Sequence, residues 1–113
     1  MNGENAIVEY VRDDNNNPIG VVAAQKMMVD NKEIIGVGWS KLNPKDKFTK
    51  NRGKTIAIGR SSYYDIEEAI EKVDSHVPHK DVTLFQDKLY KIYNHAMRYY
   101  HGDKTTVWLL QTN

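Results

Sequence analysis

The chain has 113 residues, 40% of them apolar, with four histidines, no cysteine and a formal net charge of +1. That length fits a single domain over residues 1–113, with a core small enough that self-association would help bury its faces. The lack of cysteine excludes disulfides, a thiol nucleophile and thiolate metal sites. No apolar run is long enough to cross a bilayer. The N-terminus, "MNGENAIVEY", lacks the basic start and apolar centre of a secretory signal, so the expectation is a soluble intracellular protein with no membrane partner.

The first third reads as a three-stranded antiparallel meander. "AIVEYVR", "PIGVVAAQKMMV" and "EIIGVGWSK" are rich in β-branched residues, and the turn formers "DDNNN" and "DNK" separate them. The second segment is almost continuously apolar, which predicts a central strand covered on at least one face. Gly36 and Gly38 flank Val37 in the third, where glycine signals a bulge, a bend or the close approach of another backbone or a ligand.

After Trp39 the period changes. Asn43 followed by Pro44 and Asp46 predicts a helix start, with Asn43 as cap and Pro44 in the first helical position. Phe48, Arg52, Thr55, Ile56 and Gly59 then fall along one side, and Gly53 in the middle weakens the helix while permitting close packing. A second helix is expected at "YYDIEEAIEKV". Ile66, Ala69, Ile70 and Val73 form its apolar stripe, and Asp65 with Glu68 has capping-box spacing. A third runs from about Asp81 to His101, with Phe85, Leu89, Ile92, Ala96 and Tyr99 on one face and Gly102 as its stop. "TTVWLLQ" reads as a last strand. The fold class is α+β: a meander, then helices, then a C-terminal strand.

Charge is unevenly spread along this order. Lys41, Lys45, Lys47, Lys50, Arg52, Lys54 and Arg60 face a single acid, Asp46, and the block from Asp65 to Asp74 then reverses the sign. A basic surface beside an acidic one suits an anionic ligand or head-to-tail contact between subunits. The Gly53-Lys54-Thr55 triplet does not make a nucleotide-hydrolase loop. The glycine such a loop needs five residues upstream is Phe48 here, and no apolar strand leads into it.

The histidines have no metal-site spacing, since His76 and His79 straddle Pro78 and His95 and His101 lie on different helix faces. No serine has the glycine framing of a nucleophile elbow, so neither a catalytic residue, a metal nor a cofactor is expected, and enzyme activity is unsupported. The third helix carries different chemistry. Helical spacing groups Tyr90, Asn94, Met97 and Arg98 away from the Phe85 stripe, and aromatic rings, an amide and an arginine are the parts of a nucleotide site. The same tyrosines equally suit a core or a dimer interface. Arg60 closes the apolar "IAIG" run and is the best single phosphate contact in the chain.

The segment "GVGWSKLNPKDKFTKNRGKTIAIGR" resembles a module of small bacterial-virus proteins, and among these the phage Thoeris anti-defence family. That resemblance implies a sponge that sequesters a cyclic ADP-ribose immune signal without cleaving it, in the cytoplasm of the infected bacterial host. It implies pockets formed between subunits of a homodimer or higher oligomer. An arginine, an adenine-stacking aromatic and a helix asparagine correspond by order and type to Arg60, Phe85 and Asn94. The family's C-terminal basic contacts have no matching arginine after Arg98. The alternative is a small phage module that uses the basic 41–60 segment to bind nucleic acid or to inhibit a host protein; the acidic neighbouring block and near-neutral total make nucleic acid the less expected partner.

Overall fold

The structure, a computed structural model, describes residues 6–43, 45 and 49–101. Strands β1 (Ile7–Arg12), β2 (Pro18–Val29) and β3 (Lys32–Lys41) form one antiparallel sheet in the order β1-β2-β3, followed by α1 (Thr49–Ser61), α2 (Ile66–His76) and α3 (Val82–His101). A 3-10 turn, His79–Asp81, precedes α3. The α+β meander followed by helices is therefore present, with β2 in the centre as its apolar run requires. The predicted C-terminal strand and Gly102 lie outside the described residues.

Turn chemistry sets the register. Asp30 and Asn31 both have positive φ, 51° and 65°, which makes a two-residue hairpin whose twist matches that of the strands it joins. Val29 consequently pairs with Lys32, and the ladder runs without interruption to Gly20 opposite Lys41. In the β1–β2 connection, Asp13 Oδ1 accepts the backbone N–H of both Asn15 and Asn17, and Asn16 takes the left-handed conformation, φ 65°.

Alternation along the strands sends side chains to two faces, and both are covered. One face carries Val11, Val22, Ala24, Ile35, Val37 and Trp39, buried against α2 and α3 through Ala69, Val73, Phe85, Leu89, Ile92 and Ala96. Full burial of Phe85, Leu89 and Ile92 is worth about 1.5–3 kcal/mol each. Asp65 starts α2 as predicted: its carboxylate accepts the Glu68 N–H at 2.8 Å, and the Glu68 carboxylate accepts the Asp65 N–H at 3.2 Å.

Helix α1 covers the other face, and there several expectations are corrected. It begins at Thr49, not beside Asn43. The Asn43 side chain accepts the Lys45 N–H at 3.1 Å, a local turn, while the Asn43 N–H donates to Thr49 Oγ1 at 3.0 Å. Pro44, Asp46 and Phe48 are outside the described residues. The face turned to the sheet is Gly53, Ala57 and Ser61, and Arg52, Thr55 and Ile56 are exposed. Small residues at this spacing let the helix backbone approach the sheet. A methyl group on Gly38 would run into the Ala57 carbonyl, and one on Gly36 into the Ser61 carbonyl. Gly36 and Gly38 thus mark the close approach of a backbone, and Gly53 fits against Leu42 and Val21 in the same way. Gln25 locks the contact: its Nε2 donates to Ile58 O at 3.0 Å and to Ser61 Oγ at 2.7 Å, and Ser61 Oγ donates on to Ile58 O.

Candidate functional site

Arg60 owes its position to that close approach. The last turn of α1 lies on β3, and the chain then crosses the open edge of β3 to reach α2 on the opposite face. Arg60 Nη1 donates to the outward-facing carbonyl of Trp39 at 2.8 Å, and the guanidinium carbon lies 4.6 Å from the centroid of the Trp39 ring. Two residues back along the same edge, the Val37 N–H donates to Tyr64 O at 2.9 Å. A guanidinium over an indole gains about 0.5–2 kcal/mol according to its exposure. The half-buried Arg60 makes no ion pair with a carboxylate among the described residues.

Aromatic residues continue outward from this arginine. Trp39, only 4% exposed, stands 5.5 Å from Tyr64 between ring centroids, and Tyr64 stands 4.5 Å from Tyr63, which is 57% exposed. An arginine held on a buried indole, next to a solvent-facing phenol, can grip a phosphate and offer a flat surface to a base. The α2 N-terminus adjoins the same region. Tyr93 of α3 has its hydroxyl pKa raised, first by burial and then by the nearby Asp65 carboxylate.

The other predicted site residues fall in two places. Tyr90, Asn94 and Arg98 form a solvent-facing row along α3, with Tyr90 50% exposed. Met97, grouped with them by spacing, is buried in the core instead, because it stands at the border of the row nearest the core stripe, next to the buried Ala96. Phe85 has no exposure and fills the space left by Gly20, whose missing side chain admits the ring. In this single chain its faces are taken by protein, so it serves as a core residue and not as a stacking surface. Tyr99, expected on the Phe85 stripe, is 62% exposed, and the half-buried Tyr100 packs against the core in its place.

Trp39, Tyr63 and Tyr64 join the site without having been singled out by sequence. The signal is the aromatic pair in "GRSSYYD" directly after Arg60, which on its own reads only as the approach to a helix. Among the described residues no group of three or more His, Asp or Glu is placed to hold a metal ion, and no helix is long and apolar enough to cross a membrane. The class defined by these features is an α+β domain with an arginine and aromatic cluster on one sheet edge. Comparison with protein-family models, curated proteins and solved structures finds no match to this chain.

Proposed function

We propose that this protein binds and sequesters a cyclic nucleotide signal of the cyclic ADP-ribose type without cleaving it, as a phage-encoded anti-defence protein in the host cytoplasm. The observation that carries the reading is Arg60. The segment from Gly36 to Arg60, on which the resemblance to the Thoeris sponges rests, ends in a guanidinium held over Trp39 with no carboxylate partner among the described residues. The signal's pyrophosphate would sit on Arg60 and its adenine on an aromatic of the cluster, for which the exposed Tyr63 is better placed than the buried Phe85. Tyr90, Asn94 and Arg98 on α3 are the surface by which a second copy would complete the pocket, in line with the family's pockets between subunits.

The test is capture. The purified protein is incubated with cyclic ADP-ribose and separated from free ligand, then heated, and the released small molecules are identified by mass spectrometry. Intact cyclic nucleotide released only on heating supports the reading; altered nucleotide or none overturns it. Arg60→Ala should abolish capture. It also leaves the Trp39 carbonyl without its partner, a loss of about 1 kcal/mol, so thermal unfolding is followed in parallel to confirm a folded variant.

A further inference from the structure

A second cationic cluster lies on the sheet face covered by α1, at the β1 end and away from Arg60. The half-buried Tyr10 projects from β1 beside the first two turns of α1. Arg12 Cζ, Lys50 Nζ and Lys54 Nζ lie 5.6, 5.7 and 5.8 Å from its ring centroid. No ion pair among the described residues joins any of the three to a carboxylate. Asp13, the acid nearest in sequence, is committed to its turn through the Asn15 and Asn17 amides. Three like charges within one Debye length of a common point repel one another, and a bound anion relieves that repulsion. Tyr10 and Arg12 also line a groove of about 300 Å³ across the edge of β1, whose far wall carries Lys91 beside Asp87 and Lys88, the last paired with Glu9. Aromatic surface and cations thus run together around the edge strand.

We infer that this cluster binds nucleotide phosphates, with a base against Tyr10 and phosphate oxygens among Arg12, Lys50 and Lys54. Two sources supply that chemistry, a free nucleoside triphosphate or successive phosphates of a single strand, and both combine stackable bases with closely spaced charge. The site is separate from the Arg60 cluster and does not depend on the cyclic-nucleotide reading.

Fluorescence polarisation with labelled (dA)12 and with labelled ATP at 50 and 200 mM salt tests it. At least one probe should bind saturably at 50 mM salt. Three neutralised phosphates imply a log–log salt slope near −2 for a single strand, so the fourfold rise in salt should weaken binding about 15-fold. Lys50→Gln/Lys54→Gln should flatten the slope to about a third and weaken binding at least tenfold. Lys32→Gln/Lys80→Gln, which removes the same charge elsewhere, should weaken it less than threefold. Tyr10→Leu, with folding checked by circular dichroism, should weaken it further at unchanged slope. The tighter of the two probes identifies the source. Failure of both to bind, or equal binding by the two lysine double variants, overturns the inference. Capture of cyclic ADP-ribose by Lys50→Gln/Lys54→Gln and (dA)12 binding by Arg60→Ala are measured alongside, so that either site can fail without the other.

Discussion

Replacing Gly38 with alanine adds one methyl group where the sheet and α1 are already in contact. An ideally placed Cβ would overlap the Ala57 carbonyl and stand 2.5 Å from the Ser61 nitrogen and 2.7 Å from Arg60 Cβ. The first two are helix backbone, which cannot rotate away as a side-chain tip can, so α1 must lift from β3. Overpacking of this kind costs up to about 3 kcal/mol. The lower conformational entropy of alanine in a strand offsets about 0.5–1 kcal/mol, leaving a net loss of about 2 kcal/mol. In urea unfolding with a slope of about 2 kcal/mol/M, the midpoint should fall by about 1 M. Gly59 is the internal control. It lies in the same helix, and a methyl group added there would meet nothing within 4 Å, so Gly59→Ala should raise stability by about 0.5–1 kcal/mol. Trimming Ala57 to glycine should not rescue Gly38→Ala, because the obstruction is the carbonyl and not the methyl. A Gly38→Ala variant as stable as the parent would refute the close-approach account of α1.

Two further perturbations have defined signs. Asp65→Ala removes the side-chain half of the α2 capping box, the carboxylate that accepts the Glu68 N–H, and should cost about 1 kcal/mol in equilibrium unfolding, with Asp65→Asn recovering most of it; equal losses in the two would mean the cap is not the cause. Glu9 receives Lys88 Nζ at 2.9 Å and His95 Nδ1 at 3.0 Å. Burial alone would raise its pKa, but the bonds to Lys88 and His95 outweigh burial and hold it below the ordinary 4.5. A depressed carboxylate stabilises the fold above its unfolded value and ceases to do so as pH falls through the folded one. The parent should therefore exceed Glu9→Gln in stability at pH 6 by no more than about 1 kcal/mol, given the partial exposure, and lose that advantage on acidification below pH 4.5. An advantage that persists at pH 2 would exclude this origin.

The strands are readable because their signals are local. The limits Pro18 and Val29 of β2 are set by adjacent turn formers, and the Asp65–Glu68 box is a four-residue pattern. Helix α1 is only half legible. Its start depends on whether Asn43 caps a helix or closes a turn, and its buried face consists of residues too small to register as an apolar stripe. Arg60 stands out because charge after an apolar run is conspicuous. That its indole partner lies 21 residues earlier, and that Phe85 fills the gap left by Gly20, are consequences of register between distant segments, which periodicity does not encode.

The passage of the chain over β3 bears on how copies of this protein can meet. Arg60 occupies the Trp39 carbonyl and Tyr64 the Val37 amide, so the middle of that border offers no free ladder to a newcomer. Among the described residues β1 is the border without such a covering. Among the described residues the sheet thus behaves like a piece with a single connector: two copies joined β1 to β1 across a twofold axis would use up the margin those residues leave open, and strand pairing along them would stop there instead of running on into a fibre.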